Sequence, residues 1–426
     1  MECDVDQLAE KVREAGRLLG DPEHASETEK LIEDFRICFV KTHAAEGLLE
    51  ARAWIRMFKS AMERAVRLLG AQGVLLPREL RSFINDPQRH LVKKLFNYAY
   101  EYARGKMSYE EFKKTAEAAI RTSIRSNMRS IYEGWVFLTI AALVAEKAKA
   151  RLVFPEHSFI LLERSGRQRG GRIPPNIVVR VEGRGYVSLF LEAPRPIGWG
   201  DSRDLTRIWK LYVALRPDII VYRGVVLNIL RPQQDPPILR PDLIIECKEL
   251  SDWFVRSREV RGPLAAPMTA EEWRSRWLRG LWTGLSDILG FKTPEEAYKE
   301  VRKRRGVRLT EPQIVKLYVK LYQPTRGAIL VSREKVPREI KRDLEESMIR
   351  VIDGVGFNSE KLRPVAEEVL SLAGYRGEEE EVIRIPAGLA ERLSAYMRRV
   401  GASSFAEAIK RLLDTVERLE AEEERG

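Results

Sequence analysis

The sequence predicts an α/β chain with a helical front end and a small strand–helix–helix tail. Three observations carry that reading. Residues 1 to 124 hold apolar side chains at helical spacing. Between 151 and 250 come short apolar runs bounded by glycine and proline, the pattern of buried strands. After residue 378, Glu381 to Pro386 reads as one short strand with two amphipathic helices behind it.

In the front end, Leu8, Val12, Ala15 and Leu18 mark one helical face, and Ile55, Phe58, Met62, Val66 and Leu69 mark another. Gly70, Gly73 and Pro77 interrupt the run. No chemistry shows here, and residues 1–124 read as a helical N-terminal region. From about 108 to 148 a proline-free stretch reads as one helix, with Glu133 at the start of its apolar half. Residues 151 to 193 read as strands. Ile177 to Val181 and Tyr186 to Leu191 flank a Glu-Gly-Arg-Gly turn, and Glu192 ends the second run. Before them, Ser165 to Arg172 is glycine-rich and basic, and Arg167, Arg169 and Arg172 are candidates for phosphate contact. Residues 203 to 214 read as a short helix.

Two further strands follow. Arg216-Pro217-Asp218 opens Ile219-Ile220-Val221, and Arg240-Pro241-Asp242 opens Leu243-Ile244-Ile245-Glu246-Cys247-Lys248. The loop between them carries Pro232, Pro236 and Pro237, which cannot extend a central ladder. Side chains alternate across a strand, so Glu246 and Lys248 share a face and Cys247 points away. Asp218 joins them if the two strands pair. Two carboxylates and a lysine suit a hard divalent cation and a water to be activated.

Pro217-Asp218, 27 intervening residues and then Glu246-Cys247-Lys248 resemble the motif of the PD-(D/E)XK nuclease superfamily. Arg129 to Trp135 resembles the start of that family's first core helix, which often carries an acidic ligand. Gln313 to Tyr318, leading into Gly327 to Ser332, is similar to its closing helix and strand. The resemblance spans residues 125–345 and implies a restriction-endonuclease-like mixed sheet flanked by helices. It also implies a role for each matching residue. Asp218, Glu246, Glu133 and the Cys247 carbonyl would hold Mg²⁺ (or Mn²⁺). Lys248 would orient or deprotonate water or offset developing charge. Gln313 would position water or substrate. Tyr318 lies five residues after Gln313 where some members have four, so it is not carried over. Replacing Asp218 by Asn or Lys248 by Ala is expected to leave the melting point close to the parent's.

Residues 251–310 exceed the simplest form of that core and read as a helical insertion. Trp253, Trp273, Trp277 and Trp282 interleave with arginines that include Arg274 and Arg276. Stacking on bases with phosphate contact, or a plain helical core, both fit this mixture. Residues 346–377 read as a helical connection. In the tail, Leu389, Leu393, Met397 and Val400 give one helix face, Gly401 stops it, and Ser404 with Glu407 forms a capping box for the next helix. Residues 378–426 resemble a ribbon-helix-helix domain, which implies a homodimer built by pairing the strands of two copies. Arg384 is the basic candidate on that strand. From Gly377 to Gly426 there are 8 Lys and Arg against 12 Asp and Glu, so a dimerising role is favoured over DNA reading.

The formal net charge of +11 suits an acidic partner, nucleic acid and DNA first. The abundance of Arg and Glu fits a heat-adapted protein. Cys3, Cys38 and Cys247 have no zinc spacing and suggest no disulfide framework, hence a reducing, cytoplasmic setting. No signal peptide opens the chain. The apolar run from Trp135 to Ala145 is too short to span a bilayer, so no membrane is expected. The leading functional expectation is a Mg²⁺-dependent endonuclease. The alternative is a dimeric nucleic-acid-binding or regulatory protein that keeps the fold without cleavage. A third is an interaction scaffold built on the helical region.

Overall fold

In a computed structural model, the described residues are 3–19, 21–162, 172–193, 215–231, 234–261, 275–374, 387–402 and 405–423. The chain divides into two units, Met1–Glu378 and Glu379–Gly426.

The first unit begins with helices α1 (Val5–Ala15), α2 (Ala25–His43) and α3 (Ala45–Leu69), the strand β1 (Gly73–Leu75), then α4 (Arg78–Asn85), α5 (Pro87–Lys94) and α6 (Phe96–Ala103). The helix α7 (Tyr109–Ala148) is opened by a capping box in which Ser108 accepts from the Glu111 N–H and the Glu111 carboxylate accepts from the Ser108 N–H. It runs unbroken through position 124, so the helical region and the sheet domain are not separated there. Val5, Phe35, Phe39, Tyr102 and Phe112 centre a core of the front helices. Further along, Trp135, Val136 and Ile140 of α7 join Phe58 and Ala65 of α3 in a second core against the sheet. The apolar stretch of α7 is thus buried by protein, as befits a core helix. Cys3 and Cys38 are joined in a disulfide that ties the start of α1 to α2. This corrects the expectation of no disulfide, and with it the cysteine argument for a reducing compartment. A separation of 35 residues carries no spacing signal; the pairing arises from how two helices dock.

The sheet is mixed and seven-stranded, in the order β11-β10-β7-β6-β5-β4-β2. Its members are β2 (Arg151–Phe154), β4 (Ile177–Val181), β5 (Gly185–Leu191), β6 (Ile219–Arg223), β7 (Leu243–Lys248), β10 (Ala328–Ser332) and β11 (Ile349–Ile352). The short β3 (Phe159–Leu161) pairs with β1 instead. β7 runs parallel to β10 and antiparallel to β6, so it sits in the middle and every residue of it is buried. The expected α/β class is therefore present. One expected connection is not: residues 346–377 supply the edge strand β11 and a packed helix (Arg363–Ala373) rather than helix alone.

The 251–310 insertion is also more than helical. Its strands β8 (Ser257–Arg261) and β9 (Gly306–Thr310) form an antiparallel ribbon, and among the described residues between them are the helices α8 (Arg276–Leu289) and α9 (Pro294–Lys303). The next helix, α10 (Glu311–Tyr322), follows β9 without a break. Trp253 and Trp282 are 2% and 1% exposed within the core on this side of the sheet, so neither is available to stack on a base. Beyond come α11 (Arg338–Glu345), α12 (Arg363–Ala373) and, in the second unit, α13 (Ala387–Val400) and α14 (Phe405–Glu423). The tail strand expected at 381–386 lies outside the described residues.

Candidate active site

The site grows out of the end of two neighbouring strands. Ile220 and Tyr222 of β6 and Ile244 of β7 face one core, while Ile219, Val221, Ile245 and Cys247 face the other. By the same alternation Asp218, Glu246 and Lys248 belong to the first side. Asp218 stands just before β6, where Pro217 ends the ladder. Its Oδ2 accepts the Cys247 N–H at 2.7 Å, and its own N–H donates to Glu246 Oε2 at 3.2 Å. Each carboxylate is thus fixed by the other strand's end.

Lys248 donates to Glu246 Oε1 at 2.9 Å and to Glu311 Oε2 at 2.7 Å. Burial pulls the ammonium's pKa down, but Glu246, Glu311 and Asp218 outweigh it and hold the pKa above its usual value. Of the roles expected for Lys248, this arrangement suits a charged donor and not a proton acceptor. Burial, then the charge of Asp218, pushes the Glu246 carboxyl up to about 7, against the pull of Lys248. Glu311 is held below the usual range: burial raises it, and the Lys248 ammonium, Arg258 and Arg129 lower it further.

A cavity of about 620 Å³ opens over these groups. Glu133, from α7, lines it, and so does Glu249. Their carboxylates flank the Arg129 guanidinium at 3.8 Å each. Glu133 is only 3% exposed and Glu249 6%. Glu192 also lines the cavity and meets Arg216 at 3.3 Å. The rim is basic, with Arg125 and Arg129 from α7, Arg256 just before the ribbon, and Arg258 and Arg308 within it.

The donor set can be weighed against a divalent cation. Among the described residues no group of three or more His, Cys, Asp and Glu side chains is arranged as a ready metal site. Glu133 accordingly does not close a triad with Asp218 and Glu246; it is turned to Arg129. The Cys247 carbonyl remains a suitable third oxygen. Continuing the Ile219–Ile245 register places Pro217 opposite Cys247, and proline has no N–H to offer that carbonyl. Two adjacent carboxylates, with the charge of Asp218 helping to raise the pKa of Glu246, beside a carbonyl with no ladder donor opposite it, fit a hard cation with oxygen ligands.

Gln313 is corrected. Its Oε1 accepts the Thr310 N–H at 2.9 Å and its N–H donates back to Thr310, so its side chain caps α10 and does not line the cavity. Glu311, two residues earlier, occupies the site instead. The T-x-x-Q of Thr310 to Gln313 was a readable cap signal, and it assigned the glutamine elsewhere. Tyr318 lines the cavity and accepts a hydrogen bond from the Arg258 guanidinium at 2.8 Å. Of the arginines expected to meet nucleic acid, Arg172 is exposed but does not line this cavity. Arg167, Arg169, Arg274 and Arg384 lie outside the described residues, as does the side chain of Arg276 at the start of α8. Of the cavity's own arginines, Arg256 and Arg258 belong to the tryptophan- and arginine-rich stretch at 253–282, whereas Arg125, Arg129, Arg216 and Arg308 carried no such signal because they come from α7, the segment before β6 and the far strand of the ribbon.

Comparison with family models, with curated proteins and with solved structures gives no match.

Proposed function

We propose that the chain is a metal-dependent nuclease that hydrolyses phosphodiester bonds of nucleic acid, DNA first. One observation carries the reading: Asp218 and Glu246 end adjacent strands with Lys248 beside them, under an arginine-rimmed cavity. In this reading Asp218, Glu246 and the Cys247 carbonyl hold Mg²⁺ or Mn²⁺. When bound, the ion supplies a water of lowered pKa and offsets charge on the phosphate. Lys248, kept as an ammonium by Glu246 and Glu311, donates toward the charge that builds on the phosphoryl oxygens. Arg129, Arg256 and Arg308 meet the flanking phosphates, contacts that position the strand without reading its sequence. Buried walls around Glu246 and Lys248 exclude bulk water and strengthen these interactions.

A second reading is a nucleic-acid-binding or regulatory protein that does not cleave. Among the described residues no third acid joins Asp218 and Glu246 in a ready metal group, which favours it. A panel of single-stranded, duplex and branched DNA and RNA, incubated with Mg²⁺ or Mn²⁺, separates the two. Cleavage lost with Asp218→Asn supports the first. Salt-sensitive binding with no cleavage on any substrate selects the second.

A further inference from the structure

We propose that Glu311 is a positioning residue that fixes the direction of the Lys248 ammonium, and that the β8–β9 ribbon holds Glu311 in place through Arg258. The inference rests on the nuclease reading above and assigns the insertion a part in it.

A lysine stem has four rotatable bonds and considerable rotamer freedom to lose. Glu246 alone, two residues back on the same strand, gives the ammonium one anchor. Glu311 Oε2 gives a second at 2.7 Å, from a different element. Two anchors on separate elements define where the remaining donor of the ammonium points. The Trp253 ring, 5.9 Å from the Lys248 nitrogen, bounds it on another side.

Glu311 is in turn fixed by the ribbon. It is the first residue of α10, delivered directly by β9, and its N–H donates to the Arg256 carbonyl at 3.0 Å. Arg258 lies on the ribbon face shared with the buried Val260, opposite Leu309. Its guanidinium donates to Tyr318 Oη at 2.8 Å and stands 3.9 Å from Glu311 Oε1. Glu311 and Tyr318 are seven residues apart, about two helical turns. One guanidinium thus spans the α10 face that looks into the cavity. Exposure of Glu311's side chain is 16%, so water is a poor substitute for either partner.

The competing view makes Glu311 only a counter-charge for a buried lysine, with consequences for stability and none for the rate. Steady-state cleavage by the full chain with Mg²⁺ separates the two. Glu311→Gln keeps shape and removes charge; Glu311→Asp keeps charge on a shorter stem; Arg258→Ala removes the clamp. We expect Glu311→Gln to lower kcat about 10- to 100-fold per folded molecule, the range found when a supporting residue behind a ligand is removed. KM should stay at the parental value. Arg258→Ala should give a smaller loss in kcat, and Glu311→Asp should recover part of the rate. A Glu311→Gln protein with parental kcat and a lowered Tm overturns the inference, as does a loss confined to KM. If the parent cleaves no substrate, the nuclease reading itself fails and this inference falls with it; a cleaving parent matched by its Glu311→Gln variant sinks the inference alone.

Discussion

At the scale of single residues, the site joins groups whose removal has opposite effects on the fold. Asp218→Asn keeps an acceptor for the Cys247 N–H and removes a charge that raises the pKa of Glu246. It should abolish cleavage while melting at or above the parental temperature. Lys248→Ala should also abolish cleavage, but it leaves Glu246 and Glu311 facing each other in a buried site. Breaking such a pair costs about 3–5 kcal/mol, so this variant should melt well below the parent. For Lys248, which is 7% exposed, the structure thus predicts a contribution to stability that the sequence reading did not expect. The pH dependence follows from Glu246. Its folded pKa, about 7, lies above the ordinary 4.5, so the folded state binds the proton more tightly. The stability it contributes is fully present below 4.5 and is lost as pH rises through 7. Ion-free protein should lose melting temperature between pH 5 and 8, and Glu246→Gln should flatten that slope. Adding Mg²⁺ at pH 8 should raise the melting temperature of the parent and not of Asp218→Asn, by the mass action of an ion that binds the folded state. Equal shifts in both would remove Asp218 from the ligand set.

At the scale of elements, α7 and β7 position the site, and both were legible. The proline-bounded apolar runs located β6 and β7, and alternation put Glu246 and Lys248 on one face. The long proline-free pattern located α7. Much of the rest depends on non-local pairing. The ribbon strands Ser257–Arg261 and Gly306–Thr310 meet across more than forty intervening residues, so neither half announces its partner. The edge strand β11 alternates as Ile349-Arg350-Val351-Ile352, but four residues are a weak signal beside the helices that flank it. Glu311 was overlooked because Gln313 matched a family pattern, though the cap chemistry of Thr310 had already claimed it. The packing of α7 offers its own test. A Cβ on Gly134 would lie 2.8 Å from Phe58, whose ring is fully buried in the α3 contact. Gly134→Val should destabilise by about 1–3 kcal/mol through overpacking. Because Gly134 adjoins Glu133, which flanks the phosphate-binding candidate Arg129, the melting loss should come with weaker cleavage per folded molecule.

Across the whole molecule, charge is unevenly divided. Residues 377–426 carry a net −4, which leaves +15 on the rest of the chain. Under the nuclease reading, that division predicts that nucleic acid binds the first unit, with affinity that falls steeply with salt. The second unit pairs α13 with α14 and leaves Leu389 and Leu413 about half exposed, at 50% and 56%. Such faces call for cover. We propose that a second copy supplies it and that the chain is a homodimer through residues 380–418. Light scattering should then find a dimer for the full chain and a monomer after truncation at Gly377, with cleavage retained. A truncated protein that still dimerises would move the interface to the first unit.

Asp218, Glu246 and Lys248 are proposed to cut nucleic acid with a divalent ion. The most direct measurement is cleavage of the DNA and RNA panel by the parent and by Asp218→Asn, side by side, in Mg²⁺ and in chelator. The account predicts cleavage by the parent in Mg²⁺ alone and none by the variant in either condition. Parental rates from Asp218→Asn, or cleavage that survives the chelator, would contradict it.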